Sequence, residues 1–241
     1  MNIVGSRWWK FDFHNHTPAS MDYGKGELEL KSISPEEWLS TYIERGVECV
    51  AVTDHNSGEW VDKLKAAAAT LRERGKIIHI FPGVEITANG NVHVLGIFDP
   101  EKDTQFITGV VGAVHYRATK GDSDGVAEES AEKVVEEIVK SGGVAIPAHI
   151  DMPAGLGGVP SSATIAQVCN KSSAVEVVFP DGRLERDNSA LQRYRNLNLT
   201  LPEVLGSDAH KPSAVGRSFT WVKMSEPSIV GLRLALLDGS S

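Results

Sequence analysis

The chain has 241 residues, 41% hydrophobic and 23% charged, the balance of a folded globular protein rather than a disordered one. With 32 acidic against 24 basic residues the formal charge is −8, which argues against a basic face that grips duplex DNA. Bound divalent cations would offset part of that charge. Two cysteines, Cys49 and Cys169, are too few for a disulfide framework and read as reduced thiols of a cytoplasmic protein. The opening MNIVGSRWWKFDF lacks an apolar stretch behind a basic start, so it does not read as a signal peptide. No apolar run approaches the roughly 20 residues that span a bilayer, and no membrane partner is expected.

Short β-branched runs alternate with longer amphipathic ones, the pattern of an α/β fold. KFDFHNH, from Lys10, reads as the first strand. Ser34-Pro35-Glu36-Glu37 opens a helix that runs to Gly46, with Ser34 as N-cap, Pro35 at the first helical position and Glu37 closing a capping box. ECVAVTDH, from Glu48, is the second strand, and an Ala-rich helix from Glu59 to Arg74 stops at Gly75. IIHIFPGVEIT and NVHVLGIF follow as strands joined by a turn around Asn89-Gly90-Asn91. Residues 99–128 hold one short helix near Phe106–Arg117 and otherwise read as an insertion or lid. A helix over Glu129–Ser141, the strand VAIPAHI, a Gly/Pro loop over Met152–Pro160 and a helix over 162–170 come next. The strand AVEVVF, a helix over 184–196 and the strand EVLGSDAH continue the alternation. RSFTWVKM and PSIVGLRLALL supply a last strand and helix. No repeat or linker intervenes, so residues 1–241 read as a single domain. About seven strands, nearly all parallel by alternation, fit a closed barrel better than an open sheet. No Gly-rich phosphate loop follows the first strand.

The histidines carry the chemistry. His14 and His16 end the first strand, His55 the second, His149 the VAIPAH run and His210 the LGSDAH run; His93 lies just past Glu85. Strand C-termini of a parallel barrel converge on one rim, so these residues would meet in space. The i, i+2 spacing of His14/His16 and of Asp208/His210 puts each pair on one side of a strand. Imidazoles mixed with carboxylates suit Zn²⁺, Mn²⁺ or Fe²⁺, and the set is rich enough for two or three ions if carboxylates bridge. One histidine at a strand end is more often a hydrogen-bonded structural residue than a ligand, and His79 (mid-strand) and His115 (no partner nearby in sequence) read that way. Glu85 in an apolar strand is a costly buried charge unless paired or metal-bound. Glu176 in AVEVVF is a candidate for supporting a ligand, and Trp8-Trp9 reads as packing.

DFHNHTPAS, VAVTDHNS, PGVEIT with HVLGIF, IPAHID and LGSDAH resemble, in order, the motifs of the PHP (polymerase and histidinol phosphatase) superfamily. More narrowly, GSRWWKFDFHNHTPAS and GRSFTWVKM…GLRLALLD resemble the N-terminal PHP domain of TrlF-type proteins, in which an AAA- or SMC-like ATPase region follows. The resemblance makes this chain an N-terminal piece of a longer protein, in keeping with the missing P-loop. It implies a distorted (β/α)₇ TIM-like barrel of PHP type with a two- or three-metal cleft. By motif position, His14, His16, Glu85 and Asp208 hold one ion, and Glu85 bridges to a second held by His93 and His149. His55 and His210 hold a third. Its remaining ligand departs from the commonest pattern, since Met21 stands where many members have Asp or His; Asp22 is the substitute. Asp54 is placed to orient a ligand.

The function expected is metal-dependent hydrolysis of a phosphate ester by a metal-activated hydroxide, on a small phosphomonoester, a nucleotide or a nucleic-acid end. Asp54 or His210 relays a proton, and of Lys25, Arg117, Arg183 and Arg217, Lys25 and Arg217 are the candidates for holding substrate phosphate. Neither a G-x-S-x-G elbow nor a papain-like Cys pattern supplies a protein nucleophile. Two alternatives stand beside this: an amidohydrolase-like reaction at carbon, and a non-catalytic module that binds metal or nucleotide for a partner ATPase.

Overall fold

The computed structural model describes residues 5–152, 155–179 and 189–237. Alternation along β1 (Arg7–Asp12) buries Trp9 and Phe11 and turns Trp8 away from the core. β1 pairs in parallel with β2 (Cys49–Val52), and β2 in parallel with β3 (His79–Ala88). β3 turns through Asn89-Gly90-Asn91 into β4 (Val92–Ile97), which runs antiparallel to β3 and to β5 (Val144–Pro147). β6 (Val175–Glu176) and β7 (Glu203–Val204) form a separate parallel pair. β8 (Thr220–Met224) returns antiparallel to β1, giving a curled sheet of order β5-β4-β3-β2-β1-β8.

Backbone hydrogen bonds tie the small pair to the large sheet on two sides. Ser173 and Ile150 N–H groups donate to the Ala145 and Glu176 carbonyls; Asp208 and His16 N–H groups donate to the His14 and Ala209 carbonyls. The strands are less parallel than the alternation suggests. Gly90 (φ +91°) and Asn91 (φ +58°) make a turn too tight for a crossover, which takes a dozen or more residues, so β4 must come back antiparallel. AVEVVF and EVLGSDAH give only two ladder residues each, and the latter bends at Asp208 (φ +47°).

The helices start where their caps dictate. In α1 (Pro35–Glu44) the Ser34 hydroxyl accepts from Glu37 N–H, and Glu37 accepts from Ser34 N–H, closing the capping box. α2 (Val61–Glu73) ends before Gly75 at φ +77°. Asp103, Ser130 and Ser161 cap α3 (Thr104–Ala113), α4 (Ala131–Lys140) and α5 (Ser162–Cys169). The helix expected over 184–196 is described from Ser189 onward as α6 (Ser189–Arg195), and α7 (Ile229–Leu237) packs on β8. Among the described residues no helix is long and apolar enough to cross a membrane. Cys49 and Cys169 are buried and unpaired.

Three apolar clusters result. One lies between the sheet and α3–α5, one under α1 and α2, and one lines the inside of the curl with Phe11, Phe13, Phe81, Leu95 and Ile146. Phe11 stacks on Phe13 (centroids 4.3 Å) and packs on Phe81 (4.9 Å). Phe13 immediately precedes His14, so this floor supports the rim, and Phe13→Ala should cost about 3–5 kcal/mol. Trp9 lies in that floor, but Trp8, expected to pack, is 45% exposed.

The stretch expected to be an insertion or lid is pinned in place. Gly121 N–H donates to the His55 carbonyl, Met21 N–H to the Gly121 carbonyl, and the Asn56 amide to the Asp122 and Gly125 carbonyls. Gly121 sits at φ +82°, and a Cβ there would stand 2.0 Å from the Ala19 carbonyl oxygen, so only glycine fits.

Candidate metal centre

The strand ends bring one histidine-rich cluster together. His14 and His16, both fully buried, face each other with their Nε2 atoms 3.1 Å apart. Glu85 Oε2 lies 3.2 Å from His14 Nε2, 3.5 Å from His16 Nε2 and 2.9 Å from His55 Nδ1. Its Oε1 lies 2.8 Å from His93 Nδ1 and 3.2 Å from His149 Nε2. Asp208 Oδ1 stands 3.6 and 3.4 Å from the same His14 and His16 nitrogens. Asp22 Oδ2 is 3.3 Å from His55 Nε2 and 3.2 Å from His210 Nε2, while the neighbouring Met21 is 61% exposed. Asp22, not Met21, therefore completes the group around His55 and His210.

The spacing and polarity fit divalent ions. Donors about 2.0–2.1 Å from one tetrahedral ion lie about 3.3 Å from each other, the separation repeated here. Three sets of donor atoms converge closely: His14/His16/Asp208, His16/His55/His210 and His55/Glu85/His93. Asp22 Oδ1 and His149 Nδ1 are buried without a hydrogen-bond partner among the described residues, and Glu85 Oε2 and His55 Nδ1, though 2.9 Å apart, make no well-directed hydrogen bond. Unpaired buried polar atoms are costly, and several in one place mark a ligand shell.

The groups behind the cluster assign its tautomers. The Ser20 hydroxyl donates to Asp54 Oδ1 (2.7 Å), so its oxygen can only accept from His16 Nδ1–H (3.0 Å) and from His55 N–H (3.1 Å). Glu176 Oε2 accepts from His14 Nδ1–H (2.8 Å) and from His149 N–H (2.9 Å). Both Nε2 atoms are thereby left as lone pairs pointing at one another, an arrangement that needs a cation or proton between them. Gly206 makes the Glu176 contact possible, since a Cβ there would come within 2.6 Å of Glu176 Oε1 and of His14 Cβ.

Without a metal the charges answer one another. Burial alone would raise Glu85, but His14, His93 and His55 hold it well below the usual carboxylate range. Burial alone would depress His55, but Glu85 and Asp22 bring it up to about 10. His14, His149 and His210 are likewise raised by facing carboxylates against their burial. Burial, with His210 and His55 alongside, pushes His16 down to about 3. His149 (φ +31°) and Asp208 (φ +47°) are held in left-handed backbone conformations, strain that accumulates at working sites.

The remaining expected residues divide. Asp54 does not face the cluster: Thr17 N–H, Thr17 Oγ–H and Ser20 Oγ–H saturate it, each at 2.7 Å. It reaches the site through Ser20, whose oxygen accepts from His16 Nδ1–H and His55 N–H, as expected of a residue that orients a ligand, and burial raises it to about 6. Arg217 Nε donates to the Ser207 carbonyl (2.6 Å), bracing the segment before Asp208. Lys25 is exposed three residues past Asp22. Arg117 pairs with Glu128 at the surface, and Arg183 lies outside the described residues. His79 packs edge-on against Trp9, and His115 is an exposed partner of Glu129. Two supports carry no sequence signal. Lys31 Nζ donates to the Ser20 and Met21 carbonyls, anchoring the Asp22 loop. Asp12, buried and raised to about 7 by that burial, accepts from Ser207 N–H.

Residues 190–241 match the family model described as PHP-associated. A 66-residue stretch is 36% identical to an uncharacterized protein of Streptococcus pneumoniae, covering 26% of each chain. The fold superposes on the lesion-specific endonuclease Q of Pyrococcus furiosus with a TM-score of 0.68 and 15% identity. That match takes in 95% of this chain but 56% of the endonuclease, so the chain spans little more than half of that relative. A Bifidobacterium adolescentis protein assigned as a metal-dependent phosphoesterase matches at a TM-score of 0.62 and 18% identity, over 94% of this chain and 95% of its own. The C-terminal match, the shared fold and the ordered ligand motifs together support a PHP superfamily domain.

Proposed function

We propose that this chain is a metal-dependent phosphoesterase of the distorted (β/α)₇ type, acting on a phosphomonoester, a nucleotide or a nucleic-acid end. The observation that carries the reading is the facing pair of His14 and His16 Nε2 atoms, 3.1 Å apart, with both oxygens of Glu85 shared among five histidines. His14, His16, Glu85 and Asp208 would hold one ion, Glu85, His93 and His149 a second, and Asp22, His55 and His210 a third. Imidazole-rich sets favour Zn²⁺, Mn²⁺ or Fe²⁺. Such ions, when bound, supply positive charge for phosphoryl oxygens and a water acidic enough to ionise near neutral pH.

The chain's own residues do the rest. Glu176 and Ser20 fix the ring orientations of His14 and His16. His210 is partly open to solvent, with 30% of its side chain exposed, and with only two ions bound its Nε2 would be the group placed to pass a proton to a departing oxygen. Arg217, whose Nε donates to the Ser207 carbonyl, would offer its terminal nitrogens to a phosphate, and Lys25 would add a second cation at the Asp22 loop.

The test is turnover of a panel of phosphomonoesters, nucleotides and short oligonucleotides by protein loaded with Mn²⁺ or Zn²⁺. Hydrolysis that chelation abolishes and Glu85→Ala removes supports the reading. Metal-replete protein that turns over none of them is a binding module, and the reading falls.

A further inference from the structure

Far down β1 from the metal centre, a second surface has no place in the chemistry above. Residues opposite one another in an antiparallel pair share a face, and the β1–β8 register sets Trp8 opposite Lys223 and Lys10 opposite Trp221. The result is a checkerboard of indole and ammonium, extended by Phe219 two residues before Trp221. Trp8 is 45% and Trp221 53% exposed, and together they line an open cleft of about 460 Å³. Lys10 Nζ lies 4.2 Å from the Phe219 ring centre and Lys223 Nζ 6.0 Å from that of Trp8. Phe219 and Trp221 meet edge to face, their centroids 5.8 Å apart.

Such a face is not explained by folding. Half-exposed indoles on the edge strand β8 and its neighbour β1 are a liability unless something covers them. Glu48, which accepts from Lys10 N–H beside this face, is paired with Arg7 (2.7 Å), and Lys10 Nζ donates to the Arg45 carbonyl (2.7 Å). Flat rings open to solvent with cations between them suit a ligand that has flat π-faces and a regular negative charge.

We infer that Trp8, Lys10, Phe219, Trp221 and Lys223 form a stacking platform for single-stranded nucleic acid. Bases stack on Trp8 and Trp221, and Lys10 and Lys223 meet the phosphates. Duplex DNA, whose bases are already stacked inward, gains little from it. The platform lies six residues before His14, about 20 Å along an extended chain, within reach of a short oligonucleotide. The substrate class then narrows from phosphate esters in general to nucleic-acid strands; this extension rests on the phosphoesterase reading, whereas the platform itself does not.

The experiment measures binding of a fluorescent 12-nucleotide single strand by anisotropy at low salt, with EDTA present to prevent turnover. The full chain should bind the strand more tightly than the matching duplex. The double variant Trp8→Ala/Trp221→Ala should weaken binding by tenfold or more, on the order expected for one lost base stack. Lys223→Glu should weaken it and flatten its salt dependence. Both substitutions are at exposed positions, and circular dichroism of each variant checks the fold. Equal binding by the double variant overturns the platform, as does no binding by the unaltered chain. Concentration-dependent dimerisation that the double variant abolishes, without strand binding, would assign the face to a second copy and overturn it too. With metal restored, the double variant should hydrolyse a small phosphomonoester normally and an oligonucleotide more slowly. Absence of small-ester turnover in the unaltered chain would sink the phosphoesterase reading alone, leaving the platform to the binding data.

Discussion

Glu85 and Asp22 are both carboxylates among histidines, yet they are held in opposite ways. Glu85 sits in β3, between β2 and β4, is 1% exposed and shares two oxygens among five histidines. Asp22 sits on a loop, has a quarter of its side chain exposed and serves two histidines through one oxygen. Strand ladders position Glu85 whatever the loops do. Asp22 depends on neighbours: Lys31 grips the carbonyls before it, and the Gly121 segment backs Met21. The difference shows that a ligand's rigidity comes from the element beneath it, so the two ends of the centre should fail differently.

Removing Glu85 should do the most damage. Glu85→Ala is expected to lose more than one equivalent of metal by elemental analysis and to slow turnover on the order of 10³-fold, as for loss of a key electrostatic group. Loss of only one equivalent would break the bridging assignment. Asp22→Ala should release one equivalent and leave the rest, with turnover down about 100-fold. Full metal retention would reduce Asp22 to a loop residue. Glu176→Gln keeps every direct donor but swaps a charged acceptor for a neutral one. Metal affinity should fall about 10–100-fold, with near-normal stoichiometry at saturation; an unchanged affinity would show that His14 needs no orienting partner.

Proton release is a smaller and more diagnostic effect. His14 is raised well above the ordinary histidine range and His55 to about 10 by the facing carboxylates, so in the metal-free chain these two hold protons at neutral pH. Metal ligation requires neutral imidazole, so binding must expel those protons and tighten as pH rises. Calorimetric titrations in two buffers of different ionisation enthalpy should give different apparent heats; identical heats would contradict the charge arrangement. Smallest of all, His115→Gln, which removes an exposed partner of Glu129, should leave metal content and turnover within experimental error.

Much of the centre was legible because its chemistry is local. His14-x-His16, Asp208-x-His210 and the lone Glu85 in an apolar strand are unusual enough to point at metal, and the Ser34–Glu37 box located a helix start to the residue. Such signals depend on spacing of two to four residues, which strand and helix periodicity convert directly into geometry. Strand direction was not legible in the same way, since hydrophobic alternation is the same for parallel and antiparallel neighbours. Only the Asn89–Asn91 turn reversed β4. Nor was Trp8 distinguishable from Trp9, because which of two adjacent aromatics faces inward is settled by the register of β1 on β8.

The supports were the least visible. Glu176 bonds to His14 across 162 residues, Asp54 to Ser20 across 34, and Lys31 closes on carbonyls that carry no side-chain signature. By itself the sequence determined which atoms could bind metal, because donor chemistry belongs to the residue. Only the tertiary structure decided which nitrogen of each histidine is free to do so, because a ring's tautomer is set by the partner at its other nitrogen, and folding chooses that partner.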